Sequence, residues 1–254
     1  LSVAVLSARS IIASTLLGST PPRLPGRLLV AFAGEFGVHS GTARVALSRM
    51  VDGGELARRD GGTYELAGDL LERHRRQEAG LRPSVMPWRG EWELRIVPSG
   101  ARSSADRAAL RRSCIHLGLR ELREGVWMRP NNLPSDRLPS ARTLVDSQTQ
   151  RLTTVPDGDP AELVAELFDL DTWAGEAHRL SDLLDNVDAE ASLARGFELA
   201  AESLRHLISD PLLPDALWPK DRPARRLRSA YAVYLISYQA RLSNFFRSEL
   251  AALQ

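Results

Sequence analysis

Glycine residues divide the first 52 residues into three short helical segments, and this pattern constrains the fold most. Apolar residues favour helices over residues 7–17, 28–36 and 40–52, and the second of these stops at Gly37. Ser40 is predicted to be the N-cap of the third helix, because a serine hydroxyl accepts a hydrogen bond from a first-turn amide. Two helices joined by a tight glycine-containing turn predict a helix-turn-helix.

A hairpin signal follows directly. Asp60-Gly61-Gly62 separates two short alternating runs, residues 55–59 and 63–66. Asp and Gly tolerate the positive φ angles that tight hairpins require. Three helices followed by a hairpin predict a winged helix.

The remainder of the chain predicts a small α/β unit and then helices. Strands are expected at residues 92–97 and 125–128 and within 142–155, with a helix capped by Ser104 and a loop over 130–140. Helices are expected at 69–79, 161–170, 172–184, 189–209 and 224–253. The predicted fold is α+β and mostly helical. Its domains are a winged helix-turn-helix (1–68), a connecting helix and linker (69–88), an α/β domain (89–156) and a helical C-terminal domain (157–254).

The distribution of charge, not its total, points to a partner. The net charge is only +1, so overall basicity gives no argument for nucleic acid. Residues 1–66 nevertheless hold seven arginines against five acids, whereas residues 157–216 are rich in Asp and Glu. A membrane-spanning helix needs a run of about 18 or more apolar residues, and the sequence contains no such run. The lone Cys114 fits a reducing, cytoplasmic setting.

The third helix has one apolar and one polar face. At 100° per residue, Ala43, Leu47 and Met50 share one arc, and Arg44 and Ser48 lie opposite them. Polar donors on such a helix can contact bases or phosphates, and arginine serves for either. The alternative is a helix whose arginines are simply solvated. The predicted DNA contacts are Arg23, Arg27, Ser40, Thr42, Arg44, Ser48, Arg49, Arg58 and Arg59.

Catalytic patterns are missing from the sequence. The five histidines lie in separate predicted elements, and no two have metal-ligand spacing. Cys114 lies in an apolar helix, which favours a small core residue over a nucleophile. We find no phosphate-binding glycine loop and no hydrolase or metalloprotease motif. The sequence therefore predicts no enzyme, no metal and no cofactor.

Several short motifs, in order along the chain, resemble the PaaX-like family of repressors of phenylacetate catabolism. They are Ser7-Ala8-Arg9-Ser10 with Leu16-Leu17-Gly18, Gly37-Val38 with Ala43-Arg44-Val45-Ala46 and Arg49, Trp88-Arg89-Gly90-Glu91-Trp92, Leu117-Gly118-Leu119 with Gly125-Val126-Trp127, Asp169-Leu170-Asp171 and Asp210-Pro211-Leu212-Leu213-Pro214. The resemblance implies that the central domain is ferredoxin-like and similar to CRISPR-adaptation nucleases. It also implies a homodimer that releases its operator when an acyl-CoA or aryl-CoA thioester binds.

The leading hypothesis is a ligand-responsive repressor that binds double-stranded operator DNA and needs no membrane. A metal-dependent nuclease-like enzyme is one alternative, although the first central strand ends in Ile96-Val97-Pro98-Ser99 without an acid. A protein-interaction module with a degenerate winged helix is the other.

Overall fold

The computed structural model describes residues 6–100, 102–187, 192–218 and 223–251. In these ranges the fold is α+β, with ten α-helices and two small antiparallel sheets. The chain divides into two compact units that are discontinuous in sequence. The first takes its described residues from Leu1–Arg75, Leu183–Glu202 and Tyr231–Gln254, and the second from Arg76–Asp182 and Ser203–Ala230. The four domain boundaries given above stay a prediction.

The N-terminal part of the first unit contains the three predicted helices and the hairpin. These are α1 (Ala8–Leu17), α2 (Gly26–Gly34), α3 (Ser40–Asp52), β2 (Leu56–Arg59) and β3 (Thr63–Leu66). A further strand, β1 (Arg23–Pro25), pairs with β3 and completes a sheet of order β1-β3-β2. The sequence did not predict β1, because three residues that end in proline look like a chain break. An edge strand tolerates proline, since one side of it needs no donors.

Apolar side chains of all three helices and the hairpin form one core. It includes Ile12 and Leu16 of α1, Leu47 of α3, and Leu56 and Leu66 of the hairpin, all buried. The alternation of these residues with polar ones is what turns one face of each element inward. α4 (Gly68–Leu81) follows, and its Leu70 joins the same core.

A glycine fixes the turn between α2 and α3. Gly37 has φ +74°, and its amide donates to the carbonyl of Gly34 at 2.8 Å while Val38 donates to Ala33 at 3.2 Å. This pair of bonds is a Schellman ending, which places a left-handed residue just after the helix. The prediction that Ser40 is the N-cap of α3 is wrong. His39 has the extended cap conformation, and Ser40 is already the first helical residue.

The second unit contains a four-stranded sheet. Its elements in chain order are β4 (Trp92–Ile96), α5 (Ser104–His116), β5 (Arg120–Arg123), β6 (Val126–Pro130), α6 (Pro139–Gln148) and β7 (Gln150–Thr154). The strand order is β5-β6-β4-β7, and every pairing is antiparallel. Trp127 packs with Leu110 of α5 and Val145 of α6 on one face. Trp92 and Met128 pack on the other face with α7 (Pro160–Leu167).

Three predictions for this unit need correction. The N-cap of α5 is Ser103, not Ser104, because the Ser103 hydroxyl accepts from the amide of Asp106 at 3.0 Å. The predicted loop over residues 130–140 overlaps the start of α6, a helix that the sequence did not predict. Strand β5 was also missed. Both elements are polar and weakly periodic, and α6 carries the buried Arg142, so neither shows the apolar pattern on which the prediction depends.

The remaining helices are α8 (Leu170–Asp185), α9 (Leu193–Ile208) and α10 (Pro223–Ala251). The start of the predicted 189–209 helix and the end of the predicted 224–253 helix lie outside the described residues. Within the first unit, Phe32 of α2 makes edge-to-face contacts with Phe197 of α9 and with Phe245 and Phe246 of α10. Across the described ranges we find no helix that is long and apolar enough to cross a membrane.

Candidate nucleic-acid interface

The outer face of α3 carries polar and cationic side chains. Ala43, Leu47 and Met50 are buried in the core, whereas Arg44, Ser48 and Arg49 are exposed. This division of the helix confirms the arc predicted from the sequence. In the described ranges neither the Arg44 side chain nor the Arg49 side chain makes a hydrogen bond or an ion pair. Both guanidinium groups therefore remain able to bind an external acceptor.

The first turn of α3 adds backbone donors to this face. Ser40 and Thr42 are exposed there, and the His39 side chain does not cap the helix. Amides at a helix start favour anions such as phosphate, because they lack intrahelical partners. Val45 lies among these polar groups with 52% of its surface exposed. An exposed aliphatic side chain at such a position can contact a thymine methyl group, a role that the sequence reasoning did not assign to it.

The two hairpin arginines differ in their environments. Arg59 donates from Nε to a Glu65 carboxylate oxygen at 2.7 Å, and the hydrogen bond from Arg59, with the charges of Arg59 and Arg23, holds the pKa of Glu65 below its ordinary value. Arg58 is exposed beside the tip, on the opposite face of the sheet from Arg59. Among the described residues Arg58 has no ion-pair partner. Of the two, Arg58 is therefore the freer cation.

Arg23 and Arg27 lie on either side of Pro25. Arg23 is exposed on β1 directly opposite Glu65 of β3, and Arg27 is exposed in the first turn of α2. The structure thus brings Arg23 and Arg59 together around one carboxylate. The described hydrogen bonds and ion pairs do not join Arg27, Arg44 or Arg49 to that group.

The central sheet contains a carboxylate that could be mistaken for a catalytic one. Glu93 of β4 is buried, and one of its oxygens accepts from Arg95 and from Arg142, each at 2.7 Å. Burial alone would raise the pKa of Glu93, but the charges of Arg142 and Arg95 and the hydrogen bond from Arg95 lower it below the ordinary value. No group of three His, Cys, Asp or Glu side chains suited to a metal ion occurs in the described part of the chain.

Cys114 is a buried residue of the α5 core, and burial raises the pKa of its thiol to about 12. A thiol with so high a pKa is protonated at neutral pH, and the thiolate is the form that acts as nucleophile. This environment is consistent with the core role predicted for Cys114.

Sequence reasoning missed a set of arginines that surround a cavity in the second unit. Arg120, Arg129 and Arg137 line it. One signal in the sequence could have indicated this site. Arg129 lies two residues after Trp127 on β6, and its direct neighbours Met128 and Pro130 are both buried. A cation in the middle of an otherwise buried strand indicates a special environment.

Comparison with known proteins gives two similarities. The family described as PaaX-like protein matches residues 7–70. The solved structure of the uncharacterized protein Rv0674 from Mycobacterium tuberculosis is 37% identical in sequence, and the match covers 95% of this chain and 99% of that chain with a TM-score of 0.72. No curated protein matches the sequence.

Proposed function

Because the chain belongs to the PaaX-like family, which is associated with transcriptional regulation, we propose that it is a sequence-specific regulator that binds double-stranded DNA. The exposed face of α3 is the observation that carries this proposal. It offers Arg44, Ser48 and Arg49 on a helix whose other side is anchored in the core. A helix of this kind fits the major groove, where its donors can reach base edges.

The proposed head is a winged helix-turn-helix. In it α2 and α3 form the helix-turn-helix, and β2 and β3 form the wing. Arg58 at the wing, and Arg23 and Arg27 near β1, contact backbone phosphates. Such contacts position a protein on DNA and carry no sequence information of their own.

The second unit is proposed to contain a ferredoxin-like domain. Two β-α-β halves with strand order β5-β6-β4-β7 support this assignment. Repression, a homodimer and release of the operator by an acyl-CoA or aryl-CoA thioester rest on the family likeness. In that scheme an effector shifts the population toward a form that does not bind DNA, to the extent that it binds the two forms unequally.

We propose no catalytic activity. The buried ion pairs of Glu93 with Arg95 and Arg142 support this view, because a carboxylate that is already bound by two cations is a poor metal ligand. An assay for cleavage of duplex and single-stranded DNA with Mg²⁺ or Mn²⁺ is expected to show no product. Metal-dependent cleavage by the parent protein would establish the nuclease alternative instead.

Selection of bound duplexes from a random-sequence library tests the regulator proposal. We expect an enriched sequence, and an affinity for it that falls as salt rises, because phosphate contacts release counterions. Arg49→Gln should reduce affinity for the selected duplex by about 10- to 100-fold.

Arg112→Gln is the matched control, because Arg112 is an exposed arginine of α5 and belongs to neither α3 nor the wing. This control variant should bind the selected duplex as the parent protein does. Failure to enrich any sequence, at low salt as well as at 0.15 M, would overturn the proposal of sequence-specific binding.

A further inference from the structure

A cavity of about 220 Å³ lies within the second unit. Its apolar walls include Leu133, Ile208 and Leu212, and its polar walls are mainly arginine side chains. Pockets for drug-sized ligands occupy about 300–1,000 Å³. The volume therefore suits a smaller molecule.

The cavity has an excess of positive charge. Five arginines line it, and among its described lining residues Asp210 is the only acid. Both carboxylate oxygens of Asp210 already accept hydrogen bonds, one from Arg228 at 2.6 Å and the other from the amide of Leu212 at 2.8 Å. Asp210 is thus a single carboxylate that already binds Arg228 and whose charge also acts on Arg137.

Arg129 is a buried cation held by neutral acceptors. It donates from Nη1 to the Leu117 carbonyl at 3.0 Å, and from Nη2 to Asn132 Oδ1 at 2.9 Å and to the Leu212 carbonyl at 3.2 Å. Burial, opposed in part by Glu93, lowers the pKa of Arg129 to about 9. Holding a guanidinium so far from water is costly unless a negative charge accompanies it.

Arg137 leaves a donor unused. Its Nη1 donates to the Ala79 carbonyl at 3.1 Å, but its buried Nε has no hydrogen-bond partner among the described residues. Arg120 donates to the Leu119 carbonyl and lies 5.2 Å from the Phe168 ring centre. A bound oxyanion would supply both the missing acceptor and the missing counter-charge, since arginine binds carboxylate and phosphate oxygens well.

We propose that this cavity binds a small organic anion, with its carboxylate or phosphate held by the arginines and its apolar body packed against the leucine and isoleucine walls. The inference concerns binding by the second unit and does not depend on DNA recognition by α3.

Calorimetric titration of the 254-residue chain without DNA tests the proposal. The probes are benzoate and phenyl phosphate, with benzamide as the neutral analogue and inorganic phosphate as the anion without an apolar body. We expect the two aromatic anions to bind, one of them more tightly because carboxylate and phosphate place their oxygens differently. Benzamide should bind at least about tenfold more weakly, because it lacks the charge that strengthens hydrogen bonds to arginine.

Two variants locate the binding. Arg137→Gln should weaken binding of the aromatic anions about 10- to 100-fold, the effect of losing one hydrogen bond to a charged group. If Arg137→Gln unfolds, Arg76→Gln replaces it. Arg76 also lines the cavity, and its side chain makes no hydrogen bond or ion pair in the described ranges. Arg112→Gln, outside the cavity, is the control.

The proposal is overturned if both aromatic anions fail to bind. It is also overturned if benzamide binds as tightly as benzoate. Equal affinity in the parent and in a folded cavity variant would place the anion elsewhere. Inorganic phosphate binding in the absence of any aromatic binding would refute the apolar half of the assignment. All these titrations are carried out without DNA, so none of their outcomes bears on whether α3 reads DNA.

Discussion

Replacement of Gly118 by alanine should destabilise the second unit strongly. Gly118 has φ +73°, and a Cβ atom added there would lie 2.0 Å from Nη1 of Arg129. The Arg129 side chain is buried, and it can move away from such a Cβ atom only by giving up its hydrogen bond to the Leu117 carbonyl. Alanine at this position must therefore both adopt a left-handed backbone and displace the guanidinium from the Leu117 carbonyl.

The magnitude follows from these two effects. A left-handed backbone costs a residue other than glycine about 1–2 kcal/mol. Loss of a hydrogen bond from a charged donor costs about 1.5–3 kcal/mol. We expect Gly118→Ala to lower the free energy of unfolding by about 3–5 kcal/mol, measured by urea denaturation followed by circular dichroism.

Gly125→Ala separates the two effects. Gly125 has nearly the same φ, +74°, but its added Cβ would meet only Val97, at 3.7 Å. This variant should lose about 1–2 kcal/mol, the backbone cost alone. If the two alanine variants lost the same free energy, the close packing of Gly118 against Arg129 would not be the reason that glycine is needed there.

Three further predictions follow from the ion pairs and the half-buried His116. Glu93→Gln should cost about 3–5 kcal/mol of unfolding free energy, because it leaves buried cations without their partner, whereas the exposed Glu124→Gln should be neutral in the same urea titration. Burial, followed by the charges of Arg76 and Arg112, lowers the pKa of His116 in the folded chain. As the pH falls, His116 is therefore protonated in the unfolded chain at a higher pH than in the folded chain. Stability should therefore decrease below about pH 6.5, and a pH series of melting temperatures should show a shallower decrease in His116→Gln. In fluorescence anisotropy, Arg58→Gln should weaken DNA binding more than Arg59→Gln, because Glu65 already holds Arg59; equal losses would contradict the distinction.

The parts of the fold that were predicted from the sequence have strong apolar periodicity or glycine punctuation. α3 combines both features: Leu47 and Met50 repeat at helical spacing, and the chain breaks at Gly37 and again at Gly53-Gly54. Its buried and exposed faces could be assigned for the same reason. The hairpin was predicted because Gly61 and Gly62 supply the positive φ angles that it uses.

The parts that were missed depend on tertiary contacts. β1 is a strand only because it pairs with β3, with Leu24 opposite Tyr64. These two residues are far apart in the sequence, so no local pattern indicates the pairing. Arg142 of α6 is buried and donates to Glu93. The inward face of α6 therefore carries a charged residue at a position where an amphipathic pattern would have an apolar one. The arginine-lined cavity escaped prediction for the same reason, because its charges come from segments far apart in the sequence.

Charge reversal on α3 tests the central claim most directly. In the double variant with Arg44→Glu and Arg49→Glu, anisotropy on the selected duplex should show affinity reduced about 100-fold or more, with an unchanged melting temperature because both side chains are exposed. Arg112→Glu, which reverses one exposed charge on α5, should leave affinity near that of the parent. A folded double variant that binds the duplex as tightly as the parent protein would show that α3 does not face the DNA.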